Sequence, residues 1–206
     1  MVNIQLQEKI LFKIRNTCLE MLTDRGYKIP DIINDLNYND FKILFSNKNI
    51  NLSIDKTDNK KNLFVFFQFE DSSFGKNDLK KVINEVHSKF DNNDVLIILV
   101  LKDKPNNAVR KEILNPKYSN TEIFERKHLM FNVTKHILVP EHILLSKEEA
   151  KKVMETYSCT NEQLPKIYHT DPQVKYHGMK IGDVCKIVRN NKQNGTEISY
   201  RIVIAH

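Results

Sequence analysis

The sequence predicts two consecutive mixed domains, an α/β domain over residues 1–134 and a smaller mixed α/β domain over residues 135–206, an α+β / α/β protein overall. Three observations carry that prediction. A strand-helix-strand order occupies the middle of the first part, the residue grammar changes after Pro140, and 206 residues suffice for one large domain or two small ones, since domains run to roughly 100–150 residues.

Leu6, Ile10, Ile14, Cys18 and Leu22 recur every fourth residue, flanked by Leu11 and Met21, and mark one apolar face of an opening helix. Gly26 suits its C-terminal cap. No element is assigned between Tyr38 and Ile54, and "DNKKN" at 58–62 reads as a polar turn. "LFVFFQF" (Leu63–Phe69) is too aromatic and β-branched for a comfortable helix and reads as a strand. Leu79, Val82, Ile83, Val86 and Phe90 then follow helical spacing, and "VLIILVL" (95–101) is a continuous buried strand. A shorter helix is expected over Asn107–Leu114, and a strand in "HLMFNVT" from His128 to Thr134.

After Pro140, Ser146 with Glu149 three residues on forms a capping box, which satisfies free backbone N–H groups at both ends of the pair, and opens a helix to about Tyr157. "TDPQVKYHG" (Thr170–Gly178) outlines a helix of about two turns, with Asp171 at the N-cap, Pro172 at the first helical position and Gly178 at the exit. Val184–Arg189 and Ile198–Ile204 are β-prone runs around a polar segment holding the pair Asn194-Gly195, the signature of a hairpin.

Composition narrows the function classes. A hydrophobic fraction of 40% with 28% charged residues is that of a folding globular chain, not a disordered or collagenous one. The longest apolar runs fall far short of the roughly 20 residues that cross a bilayer, so no membrane partner is expected. The N-terminal stretch lacks the pattern of a secretory leader, and a cytosolic or nuclear location is expected. Cys18, Cys159 and Cys185 are far apart, form no CxxC pair and read as reduced, buried thiols. The net charge is +6, and residues 135–206 carry 11 Lys/Arg against 8 Asp/Glu, so that +3 falls on each part and no basic arm is present. Such diffuse charge supports a contact with nucleic acid that other interactions place.

No catalytic residues, no metal set and no cofactor are expected from the sequence. His136 and His142 lack HxxxH or HxxE spacing, with Pro140 between them, and His169 and His177 flank a helix start that aims them apart. A Mg²⁺ nuclease needs an Asp with an ExK pair; "FQFEDSS" offers Glu70 and Asp71 but no lysine two positions after the glutamate. "GMKIGD" (178–183) has neither GxGxxG nor GxxxxGK[ST] spacing, so its glycines and lysines do not make a phosphate loop. The basic segment Lys102, Lys104, Pro105, Asn106, Arg110 and Lys111 follows the strongest strand; it reads either as a solvated face or as a loop that touches DNA phosphates without reading bases. No interleaved aromatics favour base stacking there.

"VPEHILLSKEEAKKVMETY", "NEQLPKI", "DPQVKYHGMKIGDVCKIVR" and "SYRIV" together resemble the C-terminal module of the fifth subunit of eukaryotic RNA polymerases, a module that archaeal polymerases share. "TCLEMLTDRGYKI" (Thr17–Ile29) resembles the opening of the jaw domain that the eukaryotic subunit carries and its archaeal counterpart lacks. The resemblance implies a non-catalytic subunit of a multisubunit DNA-directed RNA polymerase, with a jaw-like domain at 1–134 and an assembly module at 135–206. The implied partners are the largest polymerase subunit, other polymerase subunits and, in the assembled enzyme, downstream duplex DNA. It also implies roles in the module core and docking surface for Pro140, Glu141, His142, Leu164, Pro165, Asp171, Pro172, Tyr176, Gly178, Gly182, Arg189, Tyr200 and Arg201.

The chain departs from the family pattern at Lys180-Ile181-Gly182, where an Arg-Gly pair is common, and at Lys104–Ala108, where the jaw loop often reads "TPSA". With the Lys/Asn/Ile bias, the diverged jaw is similar to a subunit encoded by a large DNA virus that transcribes in the cytoplasm, such as African swine fever virus, which would place the chain in the viral factory and the virion. A cellular source would place it in the nucleus. A free-standing DNA-binding regulator carrying the same module is the alternative from another class; it predicts salt-sensitive duplex binding by the isolated chain.

Overall fold

The structure, a computed structural model, describes residues 4–55, 61–69, 73–90, 95–191 and 195–205. Glu70, Asp71, Asn194 and most of the polar turn expected at 58–62 lie outside the described residues. The chain divides into two compact units, residues 1–131 and 132–206, each built around a four-stranded mixed sheet.

In the first unit, β1 (Leu52–Ile54), β2 (Asn62–Phe67), β3 (Val95–Leu101) and β4 (Thr121–Glu125) lie in that order. β1 is antiparallel to β2, whereas β2, β3 and β4 are parallel, with Val65 opposite Ile98 and Leu99 opposite Ile123. Parallel pairing demands crossovers, supplied by α4 (Lys76–Lys89) between β2 and β3 and by α5 (Asn107–Ile113) between β3 and β4. α4 buries Leu79, Val82, Ile83 and Val86 against Phe64, Ile97 and Leu99 of the sheet. β3 is apolar at every position because both of its faces are covered: Ile97, Ile98, Leu99 and Val100 are each at most 2% exposed. Each such side chain contributes roughly 1.5–3 kcal/mol of burial.

α1 (Ile4–Asp24) opens the chain, and its buried face runs through Leu11, Ile14, Cys18, Met21 and Leu22. Leu6, expected on that face, is exposed. The cause is geometric, because an every-fourth series advances about 40° per step around a helix of 3.6 residues per turn and drifts away from one face. At the other end Gly26 has φ +83, and Tyr27 N donates to the Leu22 carbonyl, which stops the helix. Arg25 then bonds Glu122 of β4 at 2.9 Å and lies over the Phe124 ring, so the end of α1 is pinned to the edge strand.

The sequence left two helices unassigned, α2 (Asp31–Asn34) and α3 (Tyr38–Ser46). Asn37 caps α3 through Asn39 N and Asp40 N, and Phe41 and Phe45 form its buried i, i+4 pair. The strand expected over His128–Thr134 is not present: strand β4 comes earlier, and this stretch holds 3-10 turns at Arg126–Leu129 and Val133–Lys135. Asn132 accepts from Thr134 N and from its hydroxyl, a local bond that competes with strand pairing, and Arg126 turns inward to bond the Gln68 carbonyl.

The second unit contains β5 (Glu141–Leu144), α6 (Lys147–Tyr157), β6 (Lys166–Tyr168), α7 (Pro172–Tyr176), β7 (Val184–Asn191) and β8 (Gly195–Ile204). Its sheet order is β5-β7-β8-β6, antiparallel except for the β6–β8 pair. One face of the hairpin, with Val184 and Ile202, packs on Ala150 of α6 and Leu164; the other, with Cys185, Ile187 and Val203, packs on Val174 of α7 and Met179. Ser146 accepts from Glu149 N, and Glu149 accepts from Ser146 N at 2.8 Å, the capping box read from the sequence. This hydrogen bonding from Ser146 holds the Glu149 carboxyl below its usual range. α7 is five residues, shorter than the two turns expected, because Met179 N already closes on the Val174 carbonyl with Gly178 at φ +64.

Candidate functional site

The residues singled out in the second unit fall into a structural set and a surface set. Leu164 and Tyr176 are buried. The Tyr176 hydroxyl accepts from Asn132 Nδ2 at 2.9 Å, which ties α7 to the turn that opens the unit. Asp171 accepts from Gln173 N at 2.8 Å as the N-cap of α7, and Pro172 occupies the first helical position. Pro140 and His142 form a local bond of 2.8 Å between the proline carbonyl and the histidine Nδ1, which then carries the proton. His136 Nδ1 accepts from Leu138 N, so the two histidines serve separate backbone contacts. Among the described residues no group of three or more His, Cys, Asp or Glu is placed to hold a metal ion.

"GMKIGD" is a turn that feeds the hairpin. Lys180 N donates to the Asp183 carboxylate at 2.7 Å, and Asp183 N returns to the Lys180 carbonyl. Gly182, at φ +94, donates to the Val203 carbonyl while Val203 N donates to the Asp183 carbonyl, so the turn is laced to β8. Ile181 projects from it 61% exposed, an apolar side chain at the tip of a polar turn.

The longer free edge of the hairpin is on β8. β5 covers β7 from Cys185 to Val188, whereas β6 covers β8 only from Ile202 to Ile204. Among the described residues β8 from Gly195 to Tyr200 pairs with β7 alone, leaving one row of its backbone groups unbonded by a neighbouring strand. On the α6 side of this stretch, Tyr200 packs its ring 5.8 Å from that of Tyr157, and Ile198 stands 47% exposed two residues away. Arg189, opposite Glu197, and Arg201, whose guanidinium reaches the Lys166 carbonyl, lie on the other side of the sheet. Glu141, the first residue of β5, and Pro165, just before β6, are exposed. The sequence missed Tyr157 and Ile198 because neither departs from its element's pattern; their exposure depends on where α6 ends over the sheet.

In the first unit the basic loop emerges at the carboxyl end of β3, next to the end of β2. Gln68 is buried there, and its side-chain oxygen accepts from Lys102 N at 2.9 Å. Asn106 caps α5 by accepting from Val109 N, and Arg110 Nε donates to the Pro105 carbonyl at 3.1 Å. Those local bonds hold the loop's shape; Lys104 stands exposed on the loop and Lys111 on α5. No helix among the described residues is long and apolar enough to cross a membrane.

Comparison with known proteins agrees with this division. Residues 6–86 match the family described as RNA polymerase Rpb5, N-terminal domain, and residues 131–203 match RNA polymerase Rpb5, C-terminal domain. A relative from Caenorhabditis elegans, subunit RPABC1 of DNA-directed RNA polymerases I, II and III, is 30% identical over 99% of this chain and 100% of its own. The corresponding Dictyostelium discoideum subunit is 31% identical over 94% of this chain and 97% of its own. Subunit 5C of DNA-directed RNA polymerase V from Arabidopsis thaliana is 30% identical over 97% of this chain and 86% of its own.

Proposed function

The chain belongs to the Rpb5 family and is a non-catalytic subunit of DNA-directed RNA polymerase that assembles with other polymerase subunits, and on that premise we propose how its two units divide the work. Residues 132–206 fasten the chain to the largest polymerase subunit, and residues 1–131 form part of the jaw beside downstream duplex DNA. The observation that carries the docking assignment is the uncovered stretch of β8, Gly195–Tyr200, flanked by Ile198 and the Tyr157–Tyr200 pair. An added strand satisfies unpaired backbone groups, and neighbouring apolar side chains supply burial. Ile181 offers a second exposed apolar anchor in the same unit, at the position where the family pattern commonly has a charge.

Co-expression with affinity capture tests this. The unaltered chain recovers the largest subunit, and Ile198→Arg, at an exposed position, lowers recovery at least ten-fold. Full recovery with the arginine variant refutes the β8 assignment, and no recovery by the unaltered chain refutes the docking role itself. For the jaw, Lys104 and Lys111 act as phosphate neighbours. The double change Lys104→Glu with Lys111→Glu in the assembled enzyme reduces the slope of log affinity against log salt by about 2.

We also assign the chain to a large DNA virus that transcribes in the host cytoplasm and packages its polymerase. The Lys/Asn/Ile bias and the departures at Lys104–Ala108 and Lys180–Gly182 support this. Immunostaining of infected cells would show cytoplasmic foci; a purely nuclear signal would refute the assignment.

A further inference from the structure

We propose that the first unit carries a binding slot for an acidic partner peptide that inserts one aromatic side chain. The slot is a cavity of about 270 Å³ at the carboxyl end of β2. Its apolar walls are Phe66, Phe69, Phe74 and Val82, and the exposed Lys48 and Lys81 stand at its rim. The inference does not depend on which subunit holds residues 132–206.

Volume sets the size of the guest. Small-molecule sites occupy roughly 300–1,000 Å³, and an apolar cavity of about 150 Å³ holds one benzene. A space of 270 Å³ therefore accepts a single ring with part of its backbone, and is too small for a nucleotide.

Polar bookkeeping sets the kind of ring. Asn51 Oδ1 accepts from Phe67 N at 3.0 Å, Gln68 Oε1 accepts from Lys102 N, and the Asp78 carboxylate accepts from Gly75 N at 2.9 Å. Each of these three side chains thus already accepts a bond from a backbone N–H group. A nucleobase pushed into the slot would bury its edge groups against phenyl rings, at about 1–3 kcal/mol for each unpaired group. A phenylalanine ring has no such groups, and aromatic anchors in small pockets dominate many interfaces.

Charge sets the flanks. The Lys48 ammonium lies 5.9 Å from the Phe69 ring centroid, poised at the mouth by a backbone in the left-handed region (φ +54). Lys81 projects from α4 one residue before Val82. Among the described residues the charged groups of the slot are Lys48, Lys81 and Asp78, and one Asp78 oxygen is turned toward the α4 N-terminus, which leaves the two ammonium groups facing a guest. Carboxylates on either side of the inserted ring pair with them, whereas lysines there are repelled.

The test is a resonance-by-resonance titration of the isotope-labelled full chain with four probes: Ac-Asp-Asp-Phe-Asp-Asp-NH2, its Phe→Ala form, its form with all Asp replaced by Lys, and the oligonucleotide dT5. The first peptide should shift Phe66, Phe69, Phe74 and Val82 amides, with the other three at least ten-fold weaker. Lys48→Glu with Lys81→Glu, both at exposed positions, should weaken the acidic peptide at least ten-fold and raise the affinity of the lysine form. Equal binding of the alanine or lysine form, tighter binding of dT5, indifference to the charge reversal, or no shift at millimolar peptide each overturns the proposal.

Discussion

The two units solve the same problem, burying a four-stranded sheet, in opposite ways. The first runs β2, β3 and β4 parallel, which forces helical crossovers and covers both faces, so its central strands β2 and β3 are near-continuous apolar runs and its function-bearing segments are the loops at the strand ends. The second uses an antiparallel hairpin flanked by two short edge strands, with smaller cores under α6 and α7, and leaves part of β8 uncovered. A unit sealed on both faces can bind in crevices at its rim. One with an unfinished sheet can bind by extending it.

The largest expected effect breaks the sealed core. Leu99, fully buried at the centre of β3, loses about 2–5 kcal/mol of stability on change to Ala, through lost transfer and the cavity left behind. Urea titration read by labelling of Cys18, which is fully buried on α1, measures it; a cost below about 1 kcal/mol would mean that β3 is not the keystone of this unit.

A smaller effect tests the lacing of the second unit. Gly182→Ala meets no atom within 4 Å of the new carbon, so its cost is conformational, about 1–2 kcal/mol for a residue held at φ +94. Protection of the buried Cys185 thiol against labelling reports it. An unchanged midpoint would show that the turn relaxes without cost.

The smallest effect sharpens the comparison through pH. Burial pushes the Cys18 thiol up to about 12 from an ordinary value of 9.0. A folded value above the unfolded one means that stability is fully present below pH 9 and is lost as pH rises toward 12. Between pH 7 and 9.5 the loss from Cys18 is about 0.8 kcal/mol, all from ionisation in the unfolded chain. Cys185 is also raised, to about 11, by burial first, and its loss runs over a narrower window. Comparing urea midpoints of the unaltered chain and Cys18→Ala at the two pH values isolates the term. Equal pH slopes would show that Cys18 ionises as freely folded as unfolded.

Features with a local cause were legible in the sequence. The Ser146–Glu149 box, the Asp171-Pro172 helix start, the solid apolar run at 95–101 and the β-prone pair around residues 190–197 each follow from propensity or a bond between near neighbours. The strand at Thr121–Glu125 was hidden because an edge strand needs only partial burial, and the more apolar stretch after it is bent by Asn132. α3 was missed although Asn37, Phe41 and Phe45 signalled it, since a nine-residue helix shows one apolar repeat.

What the sequence determined by itself was the family, through its motifs, and the two mixed α/β units, through the types and spacing of their residues. Which side of the hairpin stays uncovered, where the aromatic slot opens and which basic residues serve the loop rather than solvent were decided by tertiary structure. They depend on pairings between distant segments, such as β6 with the end of β8 and Gln68 with Lys102, that no local pattern encodes.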